Sequence, residues 1–228
     1  MTVLVDIQVV QLLCSRLCHD MVGPSGAVHN GMELYNEMDT ADGADALKMV
    51  SSSVEQLSSR LAFFRMAFGL GGLTGRKPPL AESRDIIEAF LADGRVSIDW
   101  PFDEGAELAQ YVSVPALKLL FNMVLVAIDA LPRGGTLAVI LARVNDDQDV
   151  PVIGMAVKAS GDGARLKDEL LSALSTKGDK GDATELNAHN VHGFFCQRLA
   201  EEQLSKLEVV SAENEVQFAV LVPERNDR

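Results

Sequence analysis

The sequence predicts an α plus α/β protein: an N-terminal helical hairpin that pairs with a second copy as a dimeric four-helix bundle, followed by an α/β sandwich. Three observations predict it. Apolar residues recur in sevens through the first 68 positions, a Gly- and Pro-rich break follows, and strand-like and helix-like stretches alternate beyond it. The expected domains are residues 1-75, for dimerisation, and 80-228.

The first heptad run is Ile7, Val10, Cys14, Leu17, Met21, Pro24, Val28, Gly31, Tyr35, Met38, and the second is Leu47, Val50, Val54, Leu57, Leu61, Phe64, Phe68. These are a and d positions of a helical seam. The polar stretch Asp39 to Asp45 contains a glycine and reads as a tight turn, which makes the two helices antiparallel. A lone hairpin leaves much of each stripe in water, whereas two hairpins packed together bury both, so the pattern predicts a homodimer. The alternative is that the stripes pack on the same chain's C-terminal half.

Gly69 to Pro79 (GLGGLTGRKPP) reads as the linker. After it, Ser83 to Asp93 is expected to be helical with Ser83 as N-cap, and Arg95 to Trp100 to be a strand. Val114 to Leu131 reads as a long apolar helix, and Thr136 to Val144 and Val152 to Lys158 as strands. Ala164 to Leu174 is expected to be a short amphipathic helix, Ser175 to Asp182 a polar loop, and Glu185 to Gln203 a helix. Leu207 to Ser211 and Val216 to Val222 close the chain as strands.

The net charge of −13 opposes nucleic acid and anionic membrane as partners, because both select clustered Lys and Arg. Cys14, Cys18 and Cys196 form no disulfide framework, and so sparse a set suits a reducing cytoplasm. The opening MTVLVDIQVVQLL has no basic segment, carries Asp6 and lacks a small-residue cleavage site, so it is not read as a signal peptide. Leu119 to Ile128 is too short to cross a bilayer, which takes ~20 residues.

His19 falls at heptad position f, opposite the seam, and is expected to point to water on a rigid helix. A neutral imidazole is a nucleophile near neutral pH and holds a phosphoryl group as a phosphoramidate. Asp20 beside it can orient the ring or accept its second proton. Gly23, Pro24 and Gly26 are costly in a helix: a mid-helix Pro costs ~3 kcal/mol and removes the amide that would bond the Asp20 carbonyl. The heptad continues past Pro24, so the helix is expected to continue, with a bend. Gly23 and Gly26 leave room for a partner's backbone. Arg16, one turn before His19, is expected to meet phosphate or a partner carboxylate, and Asn30 to lie at the rim of the same face. From the second helix, Arg60, Arg65 and Met66 are candidates for the same contact. A metal site from Cys14, Cys18 and His19 is disfavoured, since Cys14 lies on the seam, His19 opposite it, and no fourth ligand is at hand. His29, His189 and His192 are expected to be structural or surface residues.

The string His19-Asp20-Met21-Val22-Gly23-Pro24 resembles the H-box of dimeric sensor histidine kinases: His, acidic, apolar, two variable residues, Pro. The longer string Leu12 to Leu34 is similar to the ChpT-type histidine phosphotransferases of alphaproteobacteria. The resemblance covers nearly the whole chain, with its specific part in this helix. The second domain resembles the ATP-binding domain of those kinases, an α/β sandwich, in degenerate form. Lys118 to Val139 is similar to the kinase N-box helix and the strand after it, but Val126 stands where kinases place the Mg²⁺-holding Asn. Val157 to Ala164 is similar to the adenine-binding segment, with Ala159 at the position of its Asp and with Gly161 and Gly163 kept. The phosphate-binding glycine segment reads Asn190-Val191-His192-Gly193-Phe194-Phe195, and the lid is shortened to about Ser175 to Asp182. Losing the metal ligand, the adenine acceptor and the phosphate-segment glycines together implies a domain that no longer binds nucleotide.

The resemblance implies a cytoplasmic protein phosphotransferase of a two-component phosphorelay, with no cofactor of its own and Mg²⁺ carried by the partner receiver domain. His19 would take phosphate from the receiver domain of a CckA-like hybrid sensor histidine kinase. It would pass the phosphate to CtrA-like and CpdR-like response regulators of the cell cycle. The site expected is His19 with Asp20, and Arg16, Gly23 and Asn30 toward the partner. The alternatives are an active histidine kinase with a divergent ATP pocket, and a non-catalytic dimeric adaptor of sensor kinases.

Overall fold

A computed structural model describes residues 6–37, 43–69, 80–101, 108–175 and 186–225. Most of the expected linker (70–79), much of the expected interhelical turn and the expected lid loop lie outside the described residues.

The heptad runs form two long helices, α1 (Ile7–Glu37) and α2 (Gly43–Phe68), packed along each other. The helix α1 continues through Pro24 without interruption. Small residues bring the two together. A Cβ on Gly31 would lie 2.7 Å from a methyl of Val50, so a larger side chain there would force the helices apart. The d positions Pro24, Gly31 and Phe64 are buried, while the a positions Ile7, Cys14, Tyr35, Leu47, Val54 and Leu61 stay exposed, Leu61 at 58%. One chain therefore leaves an apolar stripe uncovered along the hairpin.

The C-terminal half is a layer of helices on a five-stranded sheet. Its elements are α3 (Leu80–Leu91), β1 (Val96–Asp99), α4 (Val114–Asp129), β2 (Gly135–Asn145) and β3 (Pro151–Ser160). They are followed by α5 (Asp168–Ser175), α6 (Val191–Glu202), β4 (Glu208–Ala212) and β5 (Glu215–Pro223). The strand order is β1-β2-β3-β5-β4, with β1 and β2 parallel and the other pairs antiparallel. Parallel neighbours need a crossover, and α4 is in it. Eleven of the sixteen residues of α4 are buried, because it packs on β2, β3 and β5 on one side and on α2 and α6 on the other. Ser113 caps it, accepting from the Ala116 amide at 3.1 Å, with Pro115 in its first turn.

Three boundaries differ from the sequence reading. Ser83 is not an N-cap: α3 starts at Leu80, and Ser83 is buried one turn inside. The helix expected from Ala164 begins only at Asp168, and the one expected from Glu185 begins at Val191. In both, apolar residues ahead of the helix, Ala164 and Leu186, are buried by tertiary packing rather than by a helical stripe.

The halves are joined by an aromatic cluster. Phe63, fully buried, stacks on Phe90 of α3 at 4.0 Å and meets Phe121 of α4 at 4.9 Å. Asn122 of α4 donates to the carbonyl of Ala67 at 2.9 Å, satisfying an acceptor that the end of α2 would leave without a partner. A smaller cluster packs Val9, Leu12 and Leu13 of α1 against Ala173, Leu186 and Val191. The C-terminal half thus touches both hairpin helices.

Candidate functional site

His19 lies on the outward face of α1 with its side chain 85% exposed. Its Nδ1 stands 3.2 Å from Oδ1 of Asp20. A carboxylate only accepts, so this contact requires the hydrogen on Nδ1 and leaves the Nε2 lone pair available outward. The heptad reading of position f and the pairing with Asp20 are both met by this geometry.

Asp20 is held at three atoms. Oδ1 meets His19, Oδ2 accepts from Nε of Arg16 at 3.5 Å, and its backbone carbonyl accepts from the Arg60 guanidinium at 2.7 Å. The last contact explains how α1 tolerates Pro24. Proline has no amide for the carbonyl four residues earlier, and Arg60 of α2 reaches across to take its place. A hydrogen bond to a charged group is worth ~1.5–3 kcal/mol, the same order as the ~3 kcal/mol cost of a mid-helix Pro. Arg60 is therefore engaged within the hairpin rather than free for a partner. Arg65 is exposed and Met66 is packed half-buried on the core.

Arg16 turns inward. Besides Asp20, it donates to Oδ1 of Asp129 at 3.1 Å, 113 positions along the chain. Burial pulls its pKa down, but Asp129 and Asp20 outweigh this and hold it above the usual arginine value. Asp129 closes α4, where the negative end of the helix dipole disfavours an acidic side chain by ~0.3–1 kcal/mol. Burial raises its carboxyl above the ordinary range, more than Arg16 lowers it. Gly23 and Gly26 are exposed, with open space around each, and Asn30 is exposed on the same helix. Cys14 and Cys18 are exposed and Cys196 is buried. Among the described residues no group of three or more His, Cys, Asp or Glu side chains is placed to hold a metal.

In the C-terminal half, Val126 and Ala159 are fully buried in the core. Gly161 has a structural cause, since a Cβ there would sit 2.5 Å from the Gly134 carbonyl. Gly134 itself adopts a positive φ of 87° that other residues rarely accept. The segment similar to a phosphate-binding glycine run opens α6 but is filled with side chains. His192 stacks on Phe68 of the hairpin at 5.6 Å, and Phe195 meets the same ring at 5.7 Å.

His192 is 1% exposed, and neither ring nitrogen has a hydrogen-bond partner among the described residues. Burial, with Arg16 adding to it, lowers its pKa from 6.5 to about 4. The unfolded chain therefore takes up a proton near pH 6.5 that the native chain refuses until about pH 4. Stability from this residue is complete above pH 6.5 and falls as the pH drops toward 4. The expected loss across that window is about 3 kcal/mol. Chemical denaturation at pH 7 and pH 4.5 checks this: the difference shrinks in His192→Phe if His192 is its source.

Sequence reasoning missed Asp129, and it left His192 open between a structural and a surface place. An acidic residue ending an apolar helix was the available signal for the first. For the second there was no local signal, because Phe68 and His192 belong to different halves of the chain.

The model of the family described as the histidine phosphotransferase C-terminal domain matches residues 80–215. The chain is 33% identical over 210 residues to the protein phosphotransferase ChpT of Brucella abortus (strain 2308), covering 91% of this chain and 92% of that protein. A solved structure of a bacterial phosphotransferase superimposes with a TM-score of 0.72 at 28% identity, covering 96% of this chain and 98% of the other. Both likenesses run through the hairpin as well as the sandwich, so the two halves are matched as one unit: the chain belongs to the histidine phosphotransferase family, of the ChpT type.

Proposed function

We propose that this phosphotransferase is a phosphorelay intermediate that carries the phosphoryl group on His19 and does not draw it from ATP. The observation that carries the reading is the pairing of a highly exposed imidazole with a carboxylate at 3.2 Å, on a chain that holds buried Val126 and Ala159 at the positions similar to the kinase Mg²⁺-holding Asn and adenine-binding Asp. Phosphate arrives from the receiver domain of a hybrid sensor kinase. It leaves to the aspartate of a response-regulator receiver, and each receiver supplies its own Mg²⁺. The Nε2 lone pair attacks phosphorus as the P–O bond to the receiver aspartate breaks, and the bonding pair leaves with that carboxylate. Asp20 offsets the positive charge that develops on the ring or accepts its Nδ1 proton. Reversal of the same step delivers the group to the next receiver.

The exposed surroundings of His19 support docking from α1. Gly23 permits close approach and Asn30 offers a polar rim. Arg16, held inward by Asp129, contributes to the site by fixing Asp20 rather than by reaching the partner. Buried Val126, buried Ala159 and the packed His192 and Phe195 support a domain that serves as scaffold rather than as nucleotide site. The uncovered stripe of Ile7, Cys14, Tyr35, Leu47, Val54 and Leu61 supports a homodimer joined as a four-helix bundle. The regulators served are proposed to be CtrA-like and CpdR-like and the donor CckA-like, in the cytoplasm.

Incubation of the pure protein with labelled ATP, and separately with a receiver domain labelled on its aspartate, tests the reading. Label is expected from the receiver alone. Incorporation from ATP, or from neither source, overturns it.

A further inference from the structure

The C-terminal half of the chain ends its longest buried helix on a carboxylate that stability alone would not select. Asp129 sits against the helix dipole and is half-buried. One of its oxygens, Oδ2, is buried without a hydrogen-bond partner among the described residues. The other, Oδ1, accepts from the Arg16 guanidinium at 3.1 Å. The same guanidinium reaches Asp20 Oδ2 at 3.5 Å, and Asp20 Oδ1 meets His19 Nδ1 at 3.2 Å. Four side chains thus form one continuous polar chain from the end of α4 to the imidazole.

Each link limits the next. His19 is 85% exposed, so its ring turns freely except where Asp20 holds it. Asp20 in turn has two side-chain oxygens, and Arg16 occupies the one that His19 does not. Arg16 precedes Asp20 by one helical turn, the weaker of the two orders for a helical ion pair, so α1 alone fixes it poorly. Among the described residues, the anchor of Arg16 that comes from outside α1 is Asp129. The rigid planar fork of the guanidinium lets one residue donate to both carboxylates in fixed directions, which the rotatable ammonium of a lysine does not set.

We propose that Asp129 is a positioning residue for phosphotransfer: through Arg16 and Asp20 it fixes the orientation and tautomer of His19, so that the C-terminal half acts on the phosphoacceptor it does not touch. The proposal rests on the reading of His19 as the phosphoacceptor. It gives the sandwich, on that reading no longer a nucleotide site, a part in the transfer step. With Asp129 in place, the Nδ1 proton is directed at Asp20 and Nε2 is left to attack. Without it, Arg16 relaxes, Asp20 loses its fixed orientation, and the ring samples both tautomers.

Two measurements on the full-length protein test this. Nitrogen-15 NMR of the histidine side chains reads the tautomer of His19, with His19→Gln assigning its signals among the four histidines. Asp129→Asn is expected to move His19 from the Nδ1–H form toward a mixture, whether or not any receiver is present. Transfer from a labelled receiver is expected to slow about tenfold in Asp129→Asn, and the slowing is expected to vanish when Asp129→Asn is made on top of Asp20→Asn. A tautomer unchanged in Asp129→Asn, or slowing that multiplies in full on the Asp20→Asn background, overturns the proposal. If Asp129→Asn does not fold, Arg16→Lys cuts the same chain on the partly exposed α1 and is read by the same two measurements. Failure of the wild-type protein to take label from any receiver overturns the reading of His19 instead, while the NMR result still decides the part played by Asp129.

Discussion

Replacing His19 with Gln abolishes uptake of label from a phosphorylated receiver, to below a thousandth of the wild-type rate, while leaving the fold intact. Loss of activity follows because glutamine has no lone-pair nitrogen able to form and later release a P–N bond. The fold is spared because the side chain is exposed and, among the described residues, makes one polar contact, with Asp20. Exposed substitutions of this kind shift stability by no more than ~0.5 kcal/mol. Quench-flow with labelled receiver, paired with a denaturation curve, separates the two effects. Residual transfer at a tenth of the normal rate would place the phosphoacceptor elsewhere, and His29, exposed on the same helix, would be next to examine.

Phe63→Ala is expected to cost about 3–5 kcal/mol of folding stability, the range for truncating a fully buried aromatic. The ring has no solvent exposure, stacks on Phe90, and touches Phe64 and Phe121. Its loss opens a cavity where α2, α3 and α4 converge. Domains of ordinary stability hold ~5–15 kcal/mol in all, so the variant should be marginal at 37 °C. A midpoint shift in urea checks this. A loss below about 1 kcal/mol would mean that the two halves are not joined through this ring. The position lies at the far end of α2 from the turn, so its effect also reports how firmly the sandwich is docked on the hairpin.

Much of this architecture was legible locally. Heptad spacing is a property of neighbouring residues, so α1 and α2 were readable to within a few positions, and the outward placement of His19 followed from its phase. The apolar run and the Ser113-Val114-Pro115 start did the same for α4. Strand alternation located β2, β3 and β5 closely. Helix starts were read too early where Ala164 and Leu186 are buried by distant partners, because burial from tertiary packing mimics an amphipathic stripe.

The contacts that hold the site were decided by the tertiary structure. Pro24 announced a free carbonyl at Asp20, but nothing near it in sequence named Arg60, forty positions away, as the group that fills it. Arg16 read as a surface cation until the fold brought Asp129 to it across 113 positions. His192 read as one more unremarkable histidine until Phe68 closed over it. Periodicity and motif express the short-range sterics and burial of a chain, which the sequence carries by itself. The partners of a charge depend on which elements pack together, and that is settled only when the hydrophobic surfaces of hairpin and sandwich find one another.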